Sequence, residues 1–505
     1  MVNIRVNILK RIIDKELVRS KPPGLALGVF NKEETIFGEG YGVYDLSKGE
    51  NAPVNLDTTF MLGSITKLFT IILLMQFWEK GKFSLDDAVN DFLPHGKIII
   101  KKGWPEITFR HILTHTAGIG ELRHFKDIFK SGFRLITYED GEIPPLSSLH
   151  DLPVYPSSPA GLKYAYSNIG ISMMGYLVEK WSGQDFRQII IERIFDPIGM
   201  NRSDLIRSKR IQPNEALGYK YKKGNLIRAK RWNNIIKPSG ALVSSINDMI
   251  KFGQVLLNKG KYPRGRLLKP KTFDLMLEPH YFAHEKLKDL FALGLVFRLY
   301  NMNGMRIIGH TGGVSGFNSA FSLLPEENLG LCISCNLGES LKSRTSLRIR
   351  NRFLKVLTKI ENNYRPPKEF KKKYWKKIAG HYGGYPGFLT NTRLITQGIE
   401  FEISQKEDYL TLNRFTSPFR KSEILYPTRD PLIFEISRKN GQHLYPTERY
   451  VFRNDQKDNI IELCRGFEKL RKLKIYERVD FKIFLSIILL LLGSIIILFV
   501  LLIFS

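Results

Sequence analysis

Apolar and polar positions divide the chain into blocks of different period. Residues 1–20 carry Val, Ile and Leu at helical spacing with Arg5, Lys10, Arg11, Lys15 and Arg19 between them, the pattern of a basic amphipathic helix. Residues 24–30 and 34–44 read as two strands joined by a polar turn at Asn31, Lys32 and Glu33. Residues 64–80 are almost continuously apolar, which predicts a helix buried on most of its circumference. Residues 85–257 read mainly as helices broken by Pro- and Gly-rich loops. At Phe291 the period shortens to that of strands over 291–299, 305–309, 317–324 and 329–335, and a helix over 341–357 follows. Strands, a helical block, strands and a closing helix predict one sheet with a helical insertion.

Further on, residues 348–377 are crowded with Lys and Arg against only Glu361 and Glu369, and contain Pro366-Pro367, which marks a domain boundary. Short alternating runs at 398–403, 409–412, 432–436 and 450–452 then suit a small antiparallel barrel or sandwich. Residues 483–504 carry no charge and are built almost wholly from Leu, Ile, Phe and Val. As a helix this run reaches roughly 33 Å, enough to cross a bilayer core. The expected organisation is an amphipathic helix (1–20), a main domain (21–360), a basic linker (361–372), a small β domain (373–467), a basic juxtamembrane segment (468–482) and a transmembrane helix (483–504).

The formal charge of +28 over 505 residues favours contact with anionic surfaces. No base-stacking aromatic pattern accompanies the basic bridge, so anionic lipid is the expected partner and nucleic acid is disfavoured. The excess of Lys and Arg just before 483–504 places that flank, and the body of the protein, on the cytoplasmic side of a single-pass membrane anchor. Three cysteines give no disulfide framework. Cys332 and Cys335 fall in a predicted strand, where side chains three apart face opposite ways, so they read as core residues rather than a redox pair.

Three short motifs carry chemistry. Gly63-Ser64-Ile65-Thr66-Lys67 opens the apolar helix and sets the Lys67 amine beside the Ser64 hydroxyl on one helical face. A desolvated amine near other cations can lose its proton and act as a base. Tyr166-Ser167-Asn168 offers a phenol that can relay a proton and an amide that can hold a carbonyl. His310-Thr311-Gly312-Gly313 ends a predicted strand with glycines that admit a substrate backbone and a free amide for an oxyanion.

In that order and at these separations the motifs resemble the serine β-lactamase and penicillin-binding-protein superfamily, in its class C-like branch of esterases and D-aminopeptidases. Segments 110–118, 159–170, 197–200 and 238–245 resemble it too, and the likeness covers about residues 17–360. It implies an α/β (α+β) fold with an antiparallel sheet flanked by helices and a helical subdomain. It further implies an acyl-enzyme on Ser64, proton transfer through Lys67 and Tyr166, substrate positioning by Asn168, His310, Thr311 and Gly312, and an oxyanion hole from the amides of Ser64 and Gly313. Penicillin-recognising members usually carry Lys where this chain has His310, which shifts the expected substrate towards a small-molecule or peptide-like ester or amide. No metal or organic cofactor is implied, and a homo-oligomer is compatible with the likeness. The rival readings are a non-catalytic or filament-forming membrane scaffold and a penicillin-binding enzyme of cell-wall metabolism. His115, in the turn after the first of these segments begins, reads as structural rather than catalytic.

Overall fold

The computed structural model describes residues 2–94, 98–120, 136–138, 144–151, 153–212, 214–234, 236–338, 344–359, 370–385, 400–407, 409–414, 422–436 and 449–478. They fall into two compact units that divide at Glu361 and Asn362.

The first unit is built on a seven-stranded antiparallel sheet. Its strands are β1 (Gly24–Phe30), β2 (Thr35–Gly42), β3 (Phe291–Leu293), β4 (Arg298–Met302), β5 (Met305–Val314), β6 (Phe317–Leu324) and β7 (Leu329–Cys335), in the order β3-β4-β5-β6-β7-β1-β2. The strand β1 is buried along its whole length, as a Gly-Leu-Ala-Leu-Gly-Val-Phe run requires. Five helices matter here: α1 (Val2–Ser20), α2 (Thr66–Trp78), α3 (Asn168–Ser182), α4 (Ile246–Leu257) and α5 (Thr345–Leu357), the last closing the unit. The Cys332 thiol turns towards Ile246 at the start of α4, while Cys335 turns towards Thr345 at the start of α5, so the two helices cover opposite faces of the sheet. Both thiols are free and buried, and burial pushes Cys335 up to about 12. Helix α1 is clasped to α5 by the fully buried Glu16, which accepts from Arg348 Nε at 2.5 Å and pairs with Arg352 at 2.7 Å. Such a carboxylate is tolerable in the interior only because it is paired.

Two sequence expectations change in this region. The run 291–299 is a hairpin rather than one strand: the chain reverses where Gly294 N donates to Phe297 O (2.9 Å), with Val296 at a left-handed φ of 70°. The strand expected to stop at 309 continues through Val314, so the His310–Gly313 motif lies inside β5 instead of at its end.

The second unit holds a closed eight-stranded barrel, β8 (Gly380–Gly383), β9 (Glu400–Gln405), β10 (Leu410–Arg414), β11 (Glu423–Pro427), β12 (Ile433–Ile436), β13 (Arg449–Asn454), β14 (Ile460–Arg465) and β15 (Glu468–Lys472). Closure removes every sheet edge. Trp375, Tyr382, Phe401, Leu425, Phe434 and Tyr450 fill its core. The stretch read as juxtamembrane from 468 therefore begins as the last barrel strand, whose alternation was hidden by its charges. Among the described residues no helix is long and apolar enough to cross a membrane; the run 483–504 and the Pro366-Pro367 bridge lie outside them.

Candidate active site

Ser64 sits in a single 3₁₀ turn (Gly63–Ile65) that leads into α2. The helix is apolar enough to be buried nearly everywhere, with Phe69 stacked on Phe252 at 3.9 Å, and it carries Lys67 into the interior with it. Lys67 is fully buried, and its Nζ lies 3.1 Å from Ser64 Oγ, 2.7 Å from Asn168 Oδ1 and 2.5 Å from the Ser239 carbonyl oxygen. Asn168 Oδ1 and Ser239 O can only accept, so they take two N–H bonds. In the third direction Nζ donates to Ser64 Oγ, the line along which the amine and the hydroxyl can exchange a proton.

Each partner reaches Lys67 by a local device. Ser167 caps α3, its Oγ accepting from Gly170 N at 2.9 Å, which puts Asn168 in the first turn of that helix. The segment 238–242 is tied to α2 by Thr70 Oγ1 donating to Pro238 O (2.5 Å), and Leu242 N donating to Thr66 Oγ1 (2.9 Å), which delivers Ser239 O. Tyr166 is buried with its ring 4.9 Å from Lys67 Nζ.

Strand β5 comes up against the turn at Gly63. A Cβ at Gly312 would stand 1.8 Å from Leu62 O, and one at Gly63, whose φ is +55°, would stand 2.9 Å from Gly313 N. Both glycines are required by that approach, which sets the Gly313 amide beside Ser64. A Cβ at Gly313 itself would meet nothing within 4 Å, so the space above it is open to a substrate.

His310 is buried, its Nδ1 donating to Thr311 O at 2.8 Å, and its ring 6.4 Å from that of Tyr166. Burial, reinforced by Arg298 and Lys67, holds its pKa well below the usual histidine range, so the ring is neutral. The cation absent from the third motif stands one strand away: Arg298, at the start of β4, donates from Nη1 to Thr311 Oγ1 at 3.1 Å. All eight residues singled out in the sequence are thus within one neighbourhood. Two contributors were missed. Ser239 acts through a backbone carbonyl, which no sequence signal marks; Arg298 is hidden by the expectation of a single strand over 291–299, although a lone Arg in an apolar run is a visible signal. Among the described residues no group of three or more His, Cys, Asp or Glu could hold a metal ion.

The site and the sheet around it have relatives. The Beta-lactamase family profile matches residues 9–354, and the chain belongs to that family. Over 333 residues it is 22% identical to Protein flp of Staphylococcus aureus strain MW2, covering 65% of this chain and 62% of that protein. Penicillin-binding protein 4 of Amycolatopsis lactamdurans is 25% identical over 339 residues, covering 64% of this chain and 84% of that one. Among solved structures, the octameric penicillin-binding protein homologue from Pyrococcus abyssi superposes with a TM-score of 0.60 at 22% identity, over 92% of this chain and all of that one. A class C β-lactamase from Rhodobacter sphaeroides gives 0.54 at 20% identity, over 70% of this chain and 99% of that one. The chain spans about 62% of the length of the flp relatives it matches.

Proposed function

We propose that this protein is a serine hydrolase that cleaves a small ester or amide through an acyl-enzyme on Ser64. The observation that carries this reading is the buried Lys67 amine, 3.1 Å from Ser64 Oγ with its other two directions taken by acceptor oxygens. The amine removes the hydroxyl proton as Oγ adds to the substrate carbonyl. Amides of Ser64 and Gly313 receive the oxyanion, and Tyr166 passes the proton to the departing alcohol or amine. Water, deprotonated through the same pair, then releases the acid and restores Ser64.

Arg298 and the neutral His310 shape the substrate class. A guanidinium bound to Thr311 Oγ1 can hold a carboxylate beside the scissile bond, a charge that His310 cannot supply. That observation favours a second reading, acylation by a β-lactam, whose carboxylate would take the same place. Anchoring by the apolar run 483–504, with the catalytic unit on the cytoplasmic side, and assembly into a homo-oligomer are further parts of the proposal. The octameric state named for the Pyrococcus protein supports the last.

Intact-mass analysis with a fluorophosphonate tests the core of this reading. One adduct on the parent and none on Ser64→Ala is expected. A folded parent that takes no adduct overturns the hydrolase reading and moves the scaffold reading ahead.

A further inference from the structure

We infer that His115 is the positioning residue of Tyr166, holding the proton-relay phenol in place without touching the reacting atoms. The inference rests on the hydrolase reading above. His115 is 2% exposed and sits at a left-handed φ of 56°, a conformation that a non-glycine residue adopts at a cost. The two amides that flank Tyr166 both end on this one residue. Ala165 N donates to the His115 carbonyl at 2.6 Å, and Ser167 N donates to His115 Nδ1 at 3.2 Å. The imidazole then lies against the Tyr166 ring itself, with centroids 4.3 Å apart and planes inclined by 36°.

The left-handed turn is what lets carbonyl and ring reach the same short segment. It is itself fixed: His115 N donates to Ile112 O (3.1 Å), Thr116 N to His111 O (2.8 Å), and Gly161 N to Thr116 O (2.8 Å). Accepting from an amide requires a lone pair on Nδ1, so the ring proton resides on Nε2. Backbone, ring face and tautomer of His115 are therefore all committed to the placement of Tyr166 over Lys67. A shift of about 1 Å in a relay group can cost on the order of a hundredfold in rate, which gives this strap its purpose.

The test compares the full-length parent with His115→Gly and His115→Asn, assayed on an activated ester. Glycine and asparagine both enter the left-handed region readily, so both keep the turn, but only asparagine returns an acceptor near the position of Nδ1. Expected for His115→Gly is a kcat loss of about tenfold or more with KM changed less than about threefold, as for a misplaced proton-transfer group. His115→Asn should regain at least about fivefold of that loss. Equal kcat in the two variants, a parent-like kcat in His115→Gly, or a loss confined to KM overturns the inference. A 3-fluorotyrosine placed at position 166 supplies an independent readout by ¹⁹F NMR. Its resonance should move and broaden in His115→Gly and return towards the parent's in His115→Asn. An unmoved resonance in a folded His115→Gly chain overturns the positioning role even if the parent shows no turnover. If His115→Gly does not fold, His115→Asn decides: a displaced resonance together with a kcat loss of about tenfold or more overturns the inference.

Discussion

The His310 imidazole is fully buried, and burial first, then the nearby Arg298 and Lys67, keep it uncharged. Its folded-state pKa lies below the unfolded value near 6.5, so as pH falls through about 6.5 the unfolded chain takes up a proton that the folded chain refuses. Stability is then full above that pH and declines below it. His111 and His280, lowered chiefly by burial, act in the same direction. Melting temperatures between pH 8 and 5 should fall more steeply for the parent than for His310→Asn; parallel curves would contradict a neutral buried His310. Arg298 is the complementary residue. Arg298→Ala should raise KM for a carboxylate-bearing ester about tenfold to a hundredfold, the worth of a charged hydrogen bond, and leave a neutral ester far less affected. Labelling by a fluorescent penicillin should weaken with it. An equal effect on charged and neutral substrates would remove Arg298 from recognition.

At the scale of elements, the site depends on how closely β5 approaches the turn before α2. Gly312 and Gly313 are neighbours in sequence with opposite requirements. An added methyl at Gly312 collides with Leu62 O and Ser319 Oγ, whereas one at Gly313 enters open space. Gly312→Ala is expected to lower the melting temperature and the fluorophosphonate labelling rate together. Gly313→Ala should melt like the parent yet turn over substrate more slowly, because the methyl occupies substrate space. Parent-like turnover in Gly313→Ala would show that substrate does not pass over that strand. The hairpin at Gly294–Phe297 belongs to the same scale: it turns β3 into β4, so that Arg298 opens the strand that pairs with β5 and reaches Thr311.

For the whole molecule, the expected anchor is separable from the expected chemistry. A chain ending at residue 478 should leave the carbonate-resistant membrane fraction while its labelling rate at Ser64 stays within about twofold, since helix insertion and acylation use different residues. Retention of the shortened chain on membranes would assign the attachment to another part of the protein.

The sequence by itself determined the order of the elements and the identity of the reacting groups. The continuous apolar run after Ser64 could only be a buried helix, and a Lys three residues beyond the Ser had to share its face. Alternation at 317–324 and 329–335 likewise announced the sheet, because side-chain period is a property of the backbone and is written into adjacent residues. What lies outside local period was decided by tertiary structure. The Ser239 carbonyl that occupies one Lys67 hydrogen, the neutrality of His310, the guanidinium of Arg298 and the double grip of His115 on Tyr166 all arise from segments far apart in the chain. Charged outward faces also concealed the strand Glu468–Lys472, whose place was fixed by closure of the barrel. Packing density and burial set these features, and no window of sequence contains the atoms that produce them.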